Sequence, residues 1–276
     1  DICSEECITT ILPQYSDELV PLCRNIDAFD DMGVKILVTR DAEKLDIANN
    51  KKKLYQYFKG RGFIPSHEFA DNAEDLEKAV YDMGYPKLQV CVKPIDGEGG
   101  KGFKIISMDV ESILKDQAGS PKISWKSYED QIRQMEKLPE LMVMEYLPGI
   151  EYSVDCVCMD GEAYICIPRE RVETSMGIAT VSVTRHNEEL IELSKQIISE
   201  LDLCYNVNLQ FKYSSSGKPM LMEINPRVSG SLVANCGAGV NMLELSLKLA
   251  YGQALGSMNI DWDTMMVRYW DQLFVK

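Results

Sequence analysis

Histidine is the scarcest chemistry-bearing residue here, with two in 276 positions. A zinc centre built on imidazole is therefore not expected, and no Cys-x-x-Cys pair supplies a thiolate alternative. The nine cysteines are scattered along a long chain, with Cys156 and Cys158 two apart in a strand-like stretch. They read as reduced, mostly buried thiols, not as the disulfide framework of a small secreted domain. Positive charge is also short. A formal net charge of -14 leaves no basic face for nucleic acid, so any anionic nucleotide must be drawn in by a local cluster of Lys, Arg and metal. No apolar run is long enough to cross a bilayer and no signal-peptide pattern opens the chain, so a cytoplasmic protein without a membrane partner is expected. Internal repeats and low-complexity segments are absent too. What is present, 45% hydrophobic and 26% charged residues, suits one large domain or two small ones with a sizeable core.

The most informative stretch is Met222-Glu223-Ile224-Asn225-Pro226-Arg227, with Gln210 upstream. Asn208 to Tyr213 alternates polar and apolar residues, Ser214 to Pro219 is turn chemistry, and Met220 to Ile224 reads as the returning strand. A hairpin of this kind brings Gln210 near Glu223, and period two puts Asn225 on the face of Glu223. One anionic and two neutral oxygen donors are too little for a dedicated metal cage. They suit Mg²⁺ (or Mn²⁺) that takes its other ligands from water and nucleotide phosphates. Arg227 is placed to fork onto a phosphoryl oxygen. An edge hairpin with a polar face remains the alternative.

The chain before it reads in order. Cys7 to Leu12 is a short strand, Asp17 to Phe29 a helix and Gly33 to Val38 a second strand, a βαβ unit. Asp1 is not an initiator methionine, and residues 1–48 are expected to be the last part of an open α/β domain whose earlier strands lie outside this sequence. Asp46 to Gly62 is expected as one helix carrying Lys51, Lys52 and Lys53, either a ligand-facing group or a solvated face. Asp71 to Met83 is a further helix. Val90 to Pro94 is a strand that carries Lys93 into a loop with Gly97, Gly99, Gly100 and Gly102, before Lys104 resumes a strand. Such a loop lets backbone N–H groups approach phosphate oxygens, with Lys93 and Lys101 adding charge. No Gly-Lys-Ser/Thr follows, so it is not a Walker loop, and a glycine turn without ligand stays open. Ile123 to Glu136 is expected as a polar surface helix, Leu141 to Leu147 as a buried strand, and Glu151 to Met159 with Glu162 to Ile167 as a hairpin. Asn187 to Leu201 and Asn241 to Tyr251 are amphipathic helices.

In this order, Val-Lys-Pro plus glycine loop, Met-Glu-Tyr-Leu-Pro-Gly-Ile-Glu-Tyr-Ser-Val-Asp, Asn-Leu-Gln and Met-Glu-Ile-Asn-Pro-Arg, the motifs resemble the ATP-grasp superfamily, in its carbamoyl-phosphate-synthetase-like and carboxylate–amine-ligase branches. The resemblance runs from about Asn50 to Gly252. It implies an α+β fold of two lobes gripping a nucleotide over residues 49–276, the smaller lobe about 65–147 and the larger about 148–276. The function it implies is an ATP-dependent ligase: a carboxylate attacks the γ-phosphate to give an acyl phosphate, which an amine or similar nucleophile then displaces. Lys51 and Lys93 would contact the phosphates and Gly97 to Gly102 would form a flap. Glu145, Tyr146 and Leu147 would offer the adenine hinge, Glu151 would hold the ribose, and Gln210, Glu223 and Asn225 would bind Mg²⁺. Arg227 and Lys93 would act on the transferred phosphoryl group. Two departures stand out. Asn50 occupies a position where the family usually has Asp, and Gly177 to Ser182 lacks the His and Gly-Asp-Ser of true carbamoyl phosphate synthetases. A stand-alone ligase is therefore preferred to a synthetase-like subunit or a binding-only module. Pro168-Arg169-Glu170-Arg171 offers Arg169 and Arg171 to a small-molecule carboxylate, with a solvated Arg/Glu cluster as the alternative. The substrates, and whether the chain forms a homo-oligomer, stay open.

Overall fold

The computed structural model describes residues 2–96, 101–109 and 121–275. By contact the chain divides into two compact units, one of residues 1–59, 150–212 and 221–276, the other of residues 60–149 and 213–220.

In the first unit, strands β1 (Thr10–Ile11) and β2 (Lys35–Ile36) pair in parallel, Thr10 opposite Lys35. The helical stretch between them is two helices, Ser16–Arg24 and Ile26–Asp31, interrupted at Asn25. Leu19, Cys23, Ile26, Ile36, Val38 and Leu45 close a small core around this βαβ unit. The helix expected over Asp46 to Gly62 is likewise two, Ala42–Asn49 and Lys51–Tyr57. Asn50 breaks it: its backbone is extended, at φ -113 and ψ 115, and its side chain accepts a hydrogen bond from the Lys53 amide. Asparagine's preference for capping thus outweighs the continuous helical pattern.

The second unit holds β3 (His67–Ala70), β4 (Val90–Pro94), β5 (Lys104–Ile106), β6 (Lys122–Ile123) and β7 (Leu141–Glu145), in the spatial order β3-β7-β4-β5-β6. Helix Ala73–Asp82, capped by the Asn72 side chain, packs Leu76 and Val80 into its core. The polar surface helix expected after Ile123 is a shorter one, Trp125–Ile132, that buries Trp125, Tyr128 and Ile132 in the same core. Three large side chains at i, i+3 and i+7 give it a core face despite its polar composition.

The remaining strands lie in the first unit, apart from Tyr213 at the end of β11 and Pro219 and Met220 at the start of β12: β8 (Glu151–Met159), β9 (Glu162–Ser175), β10 (Ile178–Thr184), β11 (Tyr205–Tyr213), β12 (Pro219–Asn225) and β13 (Met265–Val267). They form one sheet in the order β12-β11-β8-β9-β10-β13. β9 runs on through Pro168 to Ser175, well past the expected Ile167, and β13 pairs antiparallel with β10. Helix Glu188–Glu200 buries Leu190, Ile197 and Ile198, and helix Met242–Ala250 packs Met242 and Leu245 against Val157, Ile165 and Ile167. The class is α+β, as expected from the sequence. Among the described residues no helix is long and apolar enough to cross a membrane.

Candidate functional site

Within the first unit, four of the expected residues form one chain of contacts. Lys51 opens its helix directly after the Asn50 cap, and its Nζ lies 3.6 Å from Glu223 Oε2. Asn225 Nδ2 donates to Glu223 Oε1 at 3.1 Å, as two side chains two apart on β12 should be able to do. Arg227 Nη2 in turn donates to Asn225 Oδ1 at 3.1 Å, Nη1 to the Val228 carbonyl at 2.8 Å, and Nε to Ser16 Oγ at 3.3 Å. Lys51 thus lies beside the Glu223 carboxylate and Arg227 joins the line through the Asn225 amide, and Lys51 and Glu223 are only 21% and 28% exposed. Screening by water is weaker there than on an open surface, which favours anionic phosphate oxygens beside the cations. Gln210 lies on the neighbouring strand β11, opposite Ser153 of β8.

The donor chemistry fits a hard divalent cation: a carboxylate and an amide oxygen on one strand face, with a second amide on the next strand. Among the described residues no cluster of three His, Cys, Asp or Glu side chains exists that could hold a metal by protein charge alone.

A second constellation starts at Glu151, the first residue of β8. Its Oε1 lies 2.9 Å from Arg171 Nε and its Oε2 3.9 Å from Lys212 Nζ. Arg171 also donates to Ser153 Oγ at 3.1 Å and to the Gly177 carbonyl at 2.8 Å. Arg169, two residues earlier, is wholly buried. Its Nε donates to Asp155 Oδ2 at 2.7 Å, Nη1 to Ser231 Oγ at 3.1 Å and Nη2 to Ser229 Oγ at 3.2 Å. Offered by the sequence to a substrate carboxylate, Arg169 and Arg171 each meet a carboxylate of the chain itself. The Asp155 partnership escaped sequence reasoning, although a charged residue amid buried Val154 and Cys156 demands a counter-charge.

In the second unit, Lys93 is half-buried on β4, opposite Met142 of β7. Gly102, at φ +75, could not carry a side chain: a Cβ there would lie 2.7 Å from Pro94 Cγ. Gly97, Gly99 and Gly100, and the flap assigned to them, lie outside the described residues. Glu145 ends β7 by accepting a hydrogen bond from the Ser66 amide at 2.8 Å, while its own amide donates to the Ser66 carbonyl at 3.0 Å. Tyr146 is half-buried and Leu147 buried.

A five-stranded and a six-stranded sheet, both mainly antiparallel, with a βαβ unit before them, define the ATP-grasp fold. An ADP complex of N5-carboxyaminoimidazole ribonucleotide synthetase superposes with TM-score 0.68 at 16% identity, covering 91% of this chain and 63% of that one. The biotin carboxylase domain of a 2-oxoglutarate carboxylase from Hydrogenobacter thermophilus, in complex with MgADP, ADP and bicarbonate, gives 0.65 at 16% identity, covering 96% and 58%. A family model described as "ATP-grasp in the biosynthetic pathway with Ter operon" matches residues 137–272. The carbamoyl phosphate synthase large chain of Methanobrevibacter smithii is 23% identical over 253 residues, which is 86% of this chain but 22% of that protein. The chain thus has the ATP-grasp fold, and over residues 137–272 its sequence matches an ATP-grasp family model.

Proposed function

We propose that the chain is an ATP-dependent ligase that converts a small carboxylate into an acyl phosphate and passes the acyl group to an amine or similar nucleophile, releasing ADP and phosphate. The observation that supports it most is the continuous line from Lys51 through Glu223 and Asn225 to Arg227, with a cation at each end and one half-buried carboxylate within it. Phosphoryl transfer asks a protein mainly for positioning and charge neutralisation, and this line supplies both. The ADP, MgADP and bicarbonate bound in similar structures support the same reading.

In this reading Lys51 and Lys93 hold the phosphates, and Gly97, Gly99, Gly100 and Gly102 offer backbone donors to them. Glu145, Tyr146 and Leu147 present main-chain groups to the adenine edge. Glu151, held between Arg171 and Lys212, accepts from the ribose hydroxyls. Gln210, Glu223 and Asn225 hold Mg²⁺, which when bound neutralises charge between the phosphates. Arg227 stabilises the phosphoryl group as it moves. Arg171 orients Glu151, and Arg169 keeps a role inside the protein.

The experiment is ADP release from MgATP across a panel of amino acids and small carboxylates, each with and without an amine, and with hydroxylamine to trap the acyl phosphate as a hydroxamate. Carboxylate-dependent ADP release with hydroxamate formation is expected. Nucleotide binding without release under any of these conditions would reduce the chain to a binding module. Release driven by bicarbonate and ammonia alone would favour a carbamoyl-phosphate-forming subunit, the reading that the synthase match suggests.

A further inference from the structure

The Arg169–Asp155 pair does more than satisfy two buried charges. Asp155 Oδ1 also accepts from Asn208 Nδ2 at 2.7 Å, and Oδ2 from Asn235 Nδ2 at 2.8 Å. One carboxylate therefore joins β8, β9, β11 and the helix Val233–Gly237. From the other side of the pair, the two Nη atoms of Arg169 reach Ser231 and Ser229. Both serines belong to the loop that follows β12, and only Val228 separates Ser229 from Arg227. A planar guanidinium fork with Nε and Nη2 on the carboxylate, Nη1 on Ser231 and Nη2 shared with Ser229 fixes that loop in two places at once. A lysine has no such geometry.

We propose that Arg169 is a positioning residue for Arg227: held rigid by Asp155, it fastens Ser229 and Ser231 and so sets where the Arg227 guanidinium points. The proposal rests on the ligase reading for its catalytic consequence, but not for the fastening itself. Burial supports the division of labour. Arg169 is 0% exposed and Asp155 1%, so neither meets a solute, whereas Arg227 is half-buried and faces Asn225 and Ser16. A misplacement of about 1 Å in a group that must meet a moving phosphoryl costs on the order of 100-fold in rate, so a loose loop should be visible in turnover.

The test uses Ser229→Ala/Ser231→Ala, which leaves the Asp155–Arg169 pair in place and removes only the loop's anchors. Amide hydrogen exchange should accelerate over residues 226–232 and stay unchanged in β8 and β9. This arm needs no turnover, so it decides the fastening even if the ligase reading fails. Where turnover exists, kcat should fall about 10- to 100-fold, while MgADP affinity by calorimetry stays within about twofold. In an Arg227→Ala background the same double change should cost nothing further, because its effect passes through Arg227. Unchanged exchange over 226–232, an unchanged kcat, or a loss that multiplies with Arg227→Ala would each overturn the proposal.

Discussion

Replacing Gly149 by alanine tests how tightly the smaller unit holds the end of its chain. A Cβ at Gly149 would stand 2.6 Å from Tyr213 Cβ and 2.6 Å from the Tyr213 carbonyl oxygen, where ordinary contact begins at 3.4 Å. The carbonyl is backbone and cannot rotate away. It is also the acceptor, at 2.9 Å, for the Gly149 amide. Relief therefore requires the two segments to separate and that hydrogen bond to stretch or break. Overpacking of a tight contact costs about 1–3 kcal/mol and a lost hydrogen bond about 1 kcal/mol, together roughly 2–4 kcal/mol. For a unit of this size that lowers the melting temperature by roughly 8–30 °C. Thermal unfolding followed by circular dichroism reads it directly. Gly62→Ala is the control, since a Cβ there meets nothing within 4 Å, and it should be neutral or stabilising by up to about 1 kcal/mol. If Gly149→Ala melted within about 2 °C of the unchanged protein, the close approach would not be the constraint described here.

Two further outcomes are expected. Glu223→Gln keeps the size of the side chain but removes the charge between Lys51 and the proposed metal position. Single-turnover ADP formation should fall about 10²-fold or more while nucleotide still binds; Lys93→Ala should weaken both, and a Glu223→Gln rate within about threefold of the unchanged protein would remove the metal assignment. Burial pushes the Cys204 thiol up to about 11, and pushes Cys156 and Cys158 well up as well. The folded state therefore keeps protons that the unfolded chain releases near pH 9, so stability should be whole below about pH 9 and decline toward pH 11. A urea midpoint that stays flat from pH 8 to 11 would contradict this, and Cys204→Ala should flatten part of the slope.

Local pattern carried much of the fold. Period two gave β8, β11 and β12, and the apolar stripe from Leu190 to Leu201 gave the helix Glu188–Glu200. Where reading failed, a single residue or a distant partner decided. Asn50 stopped a helix that the pattern on either side would continue, and Trp125 with Tyr128 drew into the core a helix whose composition reads as surface. For the candidate site, Glu223, Asn225 and Arg227 could be placed together because they are neighbours in sequence. The Lys51–Glu223 contact and the Asp155–Arg169 network could not, since both depend on strands and helices brought together only by the tertiary fold.

The discontinuity of the larger unit has a consequence for synthesis. The sheet of the smaller unit, β3 to β7, is encoded without interruption and needs nothing from after Glu145 to complete its ladder. As the chain leaves the ribosome, that sheet can form early, in keeping with the tendency of domains to fold as units while synthesis proceeds. The opening residues face a longer wait. Thr39 Oγ1 accepts from the Cys204 amide, 165 positions later, and the Tyr55 hydroxyl donates to the Leu221 carbonyl, 166 positions later. Until β12 emerges, Tyr55, at 0% exposure in the finished protein, lacks the strand whose Leu221 and Met222 carbonyls take its hydroxyl. A nascent chain stalled before residue 205 would therefore carry that hydroxyl without its final acceptors. Lys51 would meet Glu223 only among the last contacts to close.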